Sequence, residues 1–403
     1  MSVVKISFLG DIMCEPRLLK ASRTSDGQYD FSGMFRNVRD LLGKSDYVIG
    51  NLETPLAGVK AGYVRSLLRF NAPDSFAIAA KDAGVDLLLT ANNHCLDRGL
   101  EGLKRTVQVL EENHISHAGT FLESGARDNS YFQIGDTRFA VISYTYGTNF
   151  SDNHILLSEE ERNHVNLLRP QTEPYYIIRP IKRSVYERIL YKIANSFRGD
   201  TKFYARKVLG VPVNQAHADD NLQLDSLSAY LDRLYADIDE AKREADIVLF
   251  CPHVGGQFNS EPGAFSEFIF QTAIERGVNT IVASHAHVVQ KAVIAAGVPC
   301  FYSLGNFSMS PNSVYLIHDD LPDFGIIAHL YFSDEGFDKA SFSIVKMIEN
   351  NQITVWPIDS YVHTRDLSSR ETDLLKQKVR KIYHTVTGRE LCGDCFRTEY
   401  QLL

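Results

Sequence analysis

The sequence predicts an α/β protein in which two packed β-sheets are flanked by helices. Three observations support this class. Buried-strand runs alternate with segments of helical periodicity through the first part of the chain, and such alternation favours parallel strands joined by right-handed crossovers. Several of these runs end directly in polar residues. The chain after Phe324 is again rich in strand patterns, and strand-rich flanks around an alternating core indicate two sheets.

The strand and helix patterns predict the elements in chain order. The strands are expected at 3–10, 46–50, 86–91, 138–147, 246–253, 279–287 and 298–307, followed by GIIAHLYF, ASFSIVKMI and QITVWPI. The clearest helical patterns cover 31–42, 225–245 and 373–386. In the second of these, Leu227, Leu231, Leu234 and Ile238 share one face, and Asp225 or Ser226 is the expected cap.

The size and charge of the chain limit the classes of function. Its 403 residues suffice for one large or two medium domains. A hydrophobic content of 44% and a charged content of 23% are typical of globular proteins. The net charge of -8 argues against broad nucleic-acid binding, which requires a basic face.

The N-terminus and the cysteines bear on localisation. MSVVKISFLGD has no charged start, long apolar run or small-residue cleavage site, so it does not read as a signal peptide. No stretch approaches the ~18 apolar residues that a transmembrane helix needs. Six cysteines in a chain of this length do not indicate a disulfide framework. A cytoplasmic protein is therefore expected, with peripheral association with the cell envelope left open.

A segment of different composition interrupts the alternation at 151–217. It is polar, then rich in proline, then basic, so we interpret it as an insertion in a domain covering 1–323. Residues 324–403 are expected to complete or flank that domain. Within the insertion, 179–207 holds nine lysines and arginines against Glu187 and Asp200, and isoleucine and valine recur there at helical spacing. This basic amphipathic pattern suits a lid or docking surface for an acidic substrate, contact with anionic lipid, or a solvated helix face.

Metal-ligand residue types follow five predicted strands. They are Asp11, Asn51 with Glu53, Asn93 with His94, His253, and His285 with His287. In open α/β sheets ligands bind beyond the carboxyl ends of the strands, so these side chains are expected to converge. Carboxylates, an amide carbonyl and imidazoles together suit Mn, Fe, Zn or Co rather than calcium. The sequence thus predicts one shared site for divalent metal ions.

Six ordered motifs connect this site with a known family. They are GDIMCEPRLL, GNLETPLAG, TANNHCLDRGLEGLKRTVQVLEENHISHAGT, PHVGGQ, ASHAHVVQ and YSLGNFSMS, and they extend from about Ser7 to Ser310. In this order they resemble the bacterial capsule (poly-γ-glutamate) synthesis protein CapA family, which is similar to calcineurin-like metallophosphoesterases. The resemblance implies a metallophosphoesterase-like two-sheet sandwich flanked by helices.

The resemblance also implies a role for each site residue. Asp11 would hold a first metal ion and Glu53 would bridge to a second, so that two ions are expected. The remaining metal ligands would be Asn93, His253 and His285 for the second ion and His287 for the first. His94 would act beside the substrate as general acid or transition-state donor, with Asp97 as the residue that orients it. Substrate binding is predicted for Asn51, Asn92, Asn306 and Arg183.

The chain departs from the family patterns at three positions. Met13 replaces the histidine of the phosphoesterase Asp-x-His motif. Gln257 replaces a usual glutamate, although Glu261 lies nearby as a substitute, and Ala286 stands where proline is usual between the two histidines. These changes leave the number of metal ions and the substrate open.

The expected function is that of a metal-dependent hydrolase. It would cleave a phosphoester or an amide bond in an anionic small molecule or polymer, in the capsule or poly-γ-glutamate setting that the resemblance implies. The alternative is an accessory protein that binds acidic polymer without catalysis. A ligase that uses a nucleotide ranks last, because no GxxxxGK[ST] motif is present.

The cysteines offer weaker signals. Cys14, Cys95 and Cys251 lie near proposed ligands and could be soft ligands or redox-sensitive groups. Packing as small buried residues is the favoured interpretation. Cys392 and Cys395 have the spacing of a redox or zinc pair, but a zinc ribbon needs a second pair.

Overall fold

The computed structural model describes most of the chain. It covers residues 3–64, 68–124, 129–172, 177–178, 183–197, 200–211, 216–220, 222, 224–314, 316, 320–333 and 335–402. Of the predicted basic stretch, Arg179, Ile181, Lys182 and Arg198 lie outside these residues. No helix in the described ranges is long and apolar enough to cross a membrane.

The strands and helices alternate through most of the chain. The strands are β1 (Val4–Ile12), β2 (Tyr47–Leu52), β3 (Leu87–Leu89), β4 (Ser116–Ala118), β5 (Ser130–Ile134), β6 (Thr137–Thr145), β7 (Ile177–Ile178), β8 (Ala216–His217), β9 (Ile247–His253), β10 (Thr280–Val282), β11 (Ala292–Ala295), β12 (Val298–Phe301), β13 (Asn306–Ser308), β14 (Phe324–Ser333), β15 (Gly336–Glu349), β16 (Ile353–Pro357) and β17 (Tyr400–Gln401). The helices are α1 (Pro16–Ala21), α2 (Ser32–Phe35), α3 (Arg39–Leu42), α4 (Ser75–Asp82), α5 (Gly99–Glu112), α6 (Phe150–Asn153), α7 (Val185–Ser196), α8 (Asp200–Val208), α9 (Ser228–Glu244), α10 (Ala264–Arg276), α11 (Ile358–His363) and α12 (Ser369–Thr387).

The first sheet joins the two ends of the chain. Its order is β16-β15-β14-β1-β2-β3-β4, with β13 paired to β1 and β17 paired to β15. Strands β1 to β4 run parallel, and β14 pairs antiparallel with β1. The C-terminal strands therefore extend the N-terminal sheet.

The second sheet has the order β11-β12-β10-β9-β6-β5. Its centre is parallel, from β6 through β9 and β10 to β12, and its edge strands β5 and β11 are antiparallel. The remaining strands, β7 and β8, form a separate pair in the segment interpreted as an insertion. The predicted α/β class with two sheets is confirmed.

Alternation of side chains along the strands separates the cores on the two faces of each sheet. Phe8 and Ile49 point into the core between the sheets, where Val141 and Leu249 meet them from the second sheet. The opposite face of the first sheet packs on α1 to α5, and that of the second sheet packs on α9 and α10. The result is a helix–sheet–sheet–helix arrangement.

Several local predictions were wrong in detail. The single strand expected at 298–307 is divided between β12 of the second sheet and β13 of the first. The helix expected at 31–42 is divided by a 3₁₀ turn, Arg36–Val38, into α2 and α3. Neither Asp225 nor Ser226 caps α9, because another 3₁₀ turn, Leu224–Ser226, occupies that position. Helix α9 begins after Leu227, which makes no side-chain capping bond. Leu227, Leu234 and Ile238 are nonetheless buried, as the spacing predicts.

A buried contact at Asp219 attaches the 151–217 segment and its C-terminal continuation to the start of α10. The Asp219 carboxylate accepts hydrogen bonds from the backbone N–H of Gly263 and, at 3.0 Å, from that of Ser266. A Cβ atom at position 263 would lie 2.6 Å from the Asp219 backbone, so glycine is required there. The contact ties this part of the chain to the loop that follows β9.

The Glu399 carboxylate holds the C-terminal residues against the first sheet. It accepts hydrogen bonds from the Tyr331 hydroxyl at 2.6 Å, from Ser341, and from the Lys5 ammonium at 3.1 Å. Partial burial alone would raise the pKa of Glu399, but the bonds from Ser341 and Tyr331 and the charged groups nearby lower it to about 2. The carboxylate is thus stabilised in its ionised form by the folded protein.

We expect Glu399→Ala to lower the free energy of unfolding at pH 7 by about 2 kcal/mol, after discounting for partial solvent exposure. Because the pKa is lowered on folding, this contribution is present above the ordinary value of 4.5 and is lost as pH falls towards about 2. Urea unfolding at pH 7 and pH 3 should therefore show a difference between wild type and variant that shrinks in acid. Glu390→Ala, at an exposed position, is the control. A difference independent of pH would contradict the assignment.

Candidate metal centre

The carboxyl ends of strands from both sheets meet at one place. Asp11 lies near the end of β1, and Glu53 follows β2 in the first sheet. His253 ends β9, while His285 and His287 lie in the loop after β10 in the second sheet. All five side chains are buried. The structure thus brings together carboxylates from one sheet and imidazoles from the other.

One group of ligand atoms surrounds the Nε2 atom of His253. The Asn93 Oδ1 atom lies 2.8 Å from it, His285 Nδ1 lies at 3.1 Å and Glu53 Oε1 lies at 3.4 Å. The ligand atoms of Glu53, His253 and His285 all lie within 4.8 Å of one another. These four residues could hold one metal ion.

A second group shares Glu53 with the first. His287 Nδ1 lies 3.1 Å from Asp11 Oδ2, and His287 Nε2 lies 3.8 Å from Glu53 Oε1. The ligand atoms of Asp11, Glu53 and His287 also lie within 4.8 Å of one another. Glu53 is therefore placed between the two groups.

The state of Glu53 tests whether these residues fit a cation. Both of its carboxylate oxygens are buried, and neither accepts a hydrogen bond from a described residue. Burial, together with the nearby carboxylates of Asp11 and Asp97, raises the pKa of Glu53 well above its ordinary value. An uncompensated buried carboxylate is costly, so the donor set fits a divalent cation that would compensate it.

Two of the candidate histidine ligands, His253 and His285, are held in the neutral form by burial. Burial lowers the pKa of His253 to about 3 and lowers that of His285 as well, so both imidazoles are neutral at pH 7. Burial alone would raise the pKa of Asp11, but His287, His253 and the Asn51 amide outweigh it and lower that pKa. Neutral imidazoles and an ionised carboxylate are the forms that bind metal.

Neighbouring side chains orient these ligands. Asn51 donates to Asp11 Oδ1 at 2.8 Å, the Ser284 hydroxyl lies 2.9 Å from His253 Nδ1, and Asn306 Oδ1 lies 3.1 Å from His287 Nδ1. Asn92 donates to the backbone carbonyl of Leu52 at 2.8 Å. Such contacts hold a ligand in its binding orientation. Asn51 and Asn306 therefore contact candidate metal ligands directly, while Asn92 contacts the residue before Glu53. Contact of these three residues with substrate stays a prediction.

The backbone is strained or crowded beside the ligands. His285 and His287 have φ angles of 118° and 58°, in the left-handed region that non-glycine residues rarely adopt. Strain of this kind persists where the surrounding structure enforces it, as at functional sites. Next to Asp11, a Cβ atom on Gly10 would lie 2.0 Å from the Gly305 carbonyl oxygen. Glycine at position 10 therefore permits β13 to approach β1.

A histidine–aspartate pair lies close to the metal-ligand groups. His94 Nδ1 is 2.7 Å from Asp97 Oδ2, which also accepts a hydrogen bond from the Phe70 backbone N–H at 2.6 Å. The Phe70 ring lies 4.4 Å from the imidazole, centroid to centroid. Asp97 thus makes the orienting contact with His94 that was expected, while the catalytic roles of both residues stay predictions.

Two residues beside the candidate ligands were not predicted from the sequence. The Asn149 side chain accepts from Asn93 Nδ2 at 3.1 Å, and its own Nδ2 lies 3.4 Å from His94 Nδ1. The Tyr146 ring lies 4.6 Å from that of His285. Both follow β6, so the rule that identified polar residues after the other strands would also have indicated Asn149.

Other predicted residues make contacts outside the two candidate groups. Arg183 stacks on the Tyr191 ring at 4.1 Å beside the start of α7, and its contact with substrate stays a prediction. Glu261 is exposed and is likewise absent from both groups. Met13 is fully buried in the core between the first sheet and its helices, so its side chain packs with apolar residues.

The cysteines contribute no ligand to the groups found among the described residues. Cys14, Cys95 and Cys251 are buried free thiols, as the packing interpretation requires. Burial raises the pKa of Cys95 to about 12 and raises those of Cys14 and Cys251. Cys392 is exposed and Cys395 is buried, and both are free thiols.

Comparison with known proteins identifies related sequences. The sequence model of a family described as bacterial capsule synthesis protein PGA_cap matches residues 5–310. The capsule biosynthesis protein CapA of Bacillus anthracis is 24% identical over 305 residues, 75% of this chain and 59% of that protein. The PGA biosynthesis protein CapA of Bacillus subtilis is 23% identical over 311 residues, 76% of this chain and 63% of that protein. The matched region thus spans about three fifths of either relative.

A solved structure shows a distant likeness in fold. The 5′-nucleotidase of Candida albicans aligns with a TM-score of 0.40 and 12% sequence identity, over 94% of this chain and 57% of that chain.

Proposed function

Since the chain belongs to the bacterial capsule synthesis protein PGA_cap family, we propose that it is a metal-dependent hydrolase acting on an anionic substrate in capsule or poly-γ-glutamate metabolism. The observation that carries the proposal is the pair of buried metal-ligand groups that share Glu53. Carboxylate, amide and imidazole donors of this kind suit Mn, Fe, Zn or Co. We further propose two ions, one held by each group.

The residues of the candidate centre would have separate roles in hydrolysis. Divalent ions bound there would supply Lewis-acid polarisation of the scissile oxygen and acidification of an attacking water. Asp11, Glu53 and His287 would hold one ion, while Asn93, His253 and His285 would complete the other site with Glu53. The ring contacts and hydrogen bonds described above keep these donors in place before an ion arrives.

His94 would act as general acid and donate a proton to the leaving group. If its Nδ1–H donates to Asp97 Oδ2, at 2.7 Å, Nε2 remains as the ring nitrogen that can exchange a proton with substrate. Asp97 holds the ring orientation and stabilises a protonated imidazole. The same arrangement would serve a phosphoester or an amide, because in both reactions charge develops on an oxygen that a cation can neutralise.

Turnover on defined substrates tests the proposal. The protein would be stripped with chelator, reloaded separately with Mn, Fe, Zn or Co, and assayed with p-nitrophenyl phosphate, bis-p-nitrophenyl phosphate, γ-glutamyl-p-nitroanilide and poly-γ-glutamate. We expect turnover of at least one class only after reloading, and the product distinguishes phosphoester from amide cleavage. Absence of turnover with every metal and every substrate would contradict a hydrolase.

One observation favours a second candidate, an accessory protein that binds acidic polymer. The side chain at the position of the missing histidine, Met13, packs in the hydrophobic core, so within the described part of the chain one group contains three candidate ligands. Retention of poly-γ-glutamate by the metal-loaded protein without cleavage would support this function.

A further inference from the structure

Helices α7 and α8 form a hairpin that exposes apolar side chains. Thirteen large apolar side chains are exposed among the described residues, and seven of them belong to this hairpin and its connection. They are Val185, Tyr186, Ile189, Ile193, Phe197, Tyr204 and Val208. Concentration of exposed apolar surface in one place marks an interaction surface.

The apolar side chains of α7 form a stripe along one face. Val185, Ile189 and Ile193 follow one another at intervals of four residues, and they are 73%, 54% and 47% exposed. Ala194 lies on the opposite face and is fully buried. The helix begins at a capping box in which Ser184 and Glu187 bond each other's backbone N–H groups. Its start is therefore encoded locally and does not depend on burial of the stripe.

Basic side chains border the stripe. Arg188 and Lys192 are exposed one turn apart on α7, beside the apolar residues on the same outward face. The sequence from 179 to 207 contains nine basic residues and two acidic ones, in a chain of net charge -8. Six of these nine basic residues and both acidic ones fall within the hairpin, so the hairpin is basic although the chain as a whole is acidic.

The basic charge and the exposed apolar surface of the hairpin together indicate which kind of partner it would bind. A soluble acidic polymer would neutralise the arginines and lysines but would leave the stripe in water. A second copy of the chain in a symmetric dimer would place one basic face against another. An anionic bilayer surface meets both requirements, because its head groups attract the cations and its interfacial region accepts the apolar side chains. We propose that the α7–α8 hairpin docks on an anionic membrane surface.

The hairpin lies near α1, the helix that follows β1 and the candidate ligand Asp11. Arg17, six residues after Asp11, pairs with Glu349 at 2.7 Å, and the pKa of Arg17 is raised mainly by Glu349 and to a smaller extent by the nearby Tyr204 of α8. Docking of the hairpin would therefore bring this side of the protein close to the bilayer. The inference does not require that the metal centre be catalytic.

Sedimentation with vesicles tests the proposal on the full chain. Vesicles of phosphatidylcholine and phosphatidylglycerol (7:3) would be compared with pure phosphatidylcholine, at low and high salt. We expect at least tenfold stronger binding to the anionic vesicles, weakened by salt. Ile189→Ser/Ile193→Ser should lower this binding at least tenfold. Arg188→Gln/Lys192→Gln should lower it several-fold and reduce its salt dependence.

A matched variant separates the hairpin from exposed apolar surface in general. Val59→Ser/Leu374→Ser removes two comparably exposed apolar side chains elsewhere and should bind vesicles as wild type does. Circular dichroism would verify that all three variants are folded. Equal binding by wild type and Ile189→Ser/Ile193→Ser would overturn the proposal, as would equal binding to neutral and anionic vesicles. Retention of soluble poly-γ-glutamate without vesicle binding would overturn it in favour of an acidic polymer. Self-association lost in the same variant, without vesicle binding, would assign the stripe to a second copy.

Discussion

Replacing Glu53 with glutamine is expected to lower the affinity for divalent metal at least 100-fold and yet to stabilise the metal-free protein. Removal even of a residue that only orients a ligand costs about 10- to 100-fold in affinity, and Glu53 contributes to both ligand groups. Without metal, the carboxylate is buried beside Asp11, and burial and the neighbouring carboxylates raise its pKa. The neutral amide of glutamine avoids the free-energy cost of burying this carboxyl group.

The sign of the stability change follows from the pKa. A carboxyl group whose pKa is raised by folding favours the unfolded state once pH exceeds its ordinary value, because only the unfolded chain can then ionise it freely. At pH 8 the metal-free Glu53→Gln variant should therefore melt about 1 °C above metal-free wild type, if the relief is on the order of 1 kcal/mol in a chain of 403 residues. With saturating metal the order should reverse, since wild type alone gains the full binding energy.

Calorimetry with and without chelator, together with elemental analysis after desalting, measures both effects. Glu15→Gln is a matched control. Glu15 is also a buried carboxylate, with a pKa that burial raises to about 7, but it belongs to neither ligand group. Its replacement should leave metal content unchanged. A Glu53→Gln variant that is destabilised equally with and without metal would show that Glu53 is structural.

Loss of His94 is expected to lower kcat by about 100- to 10,000-fold on any substrate that the protein turns over, with metal content unchanged. The reason is that His94 is the proton-transfer group of the proposed mechanism and belongs to neither metal-ligand group. Asp97→Asn should have a smaller effect, because the imidazole remains while its orienting charge is lost. This variant should also shift the pH dependence of kcat.

The measurement compares His94→Ala with and without added imidazole, which can restore proton transfer but cannot repair a packing defect. His384→Ala, on an exposed part of α12, is the control and should behave as wild type. Partial recovery with imidazole supports a catalytic role. Full activity in His94→Ala, or loss of metal together with activity, would contradict it.

Most of the fold and the site could be predicted from strand ends. A run of buried apolar residues followed by a polar one places the polar group at the carboxyl edge of a parallel sheet. Asp11, His253 and His285 each follow such a run, and although they lie far apart in the sequence they come together in the structure, as expected from their positions. It does not assign atoms to individual ions, because the distances depend on side-chain rotamers.

Other features depend on tertiary contacts, which the hydrophobic periodicity of the sequence does not reveal. The helical spacing of Val185, Ile189 and Ile193 predicts an amphipathic helix, but a period identifies a face without showing what that face contacts. In the structure the apolar face points to solvent. The cap of α9 was misplaced for a similar reason, because Asp225 has the residue type of a cap but lies in a 3₁₀ turn.

The distribution of ligands over two sheets has a consequence for biogenesis. Asp11 and Glu53 are synthesised early, whereas His253, His285 and His287 follow some 200 residues later. No partially synthesised chain that lacks the second sheet can assemble either candidate group in full, so any metal uptake would follow the packing of the second sheet on the first. A bound ion would then link the halves of the sandwich directly. Loss of the ion would first allow slow separation of the two sheets. Hydrogen exchange of the backbone amides in β1 and β9 would measure this separation.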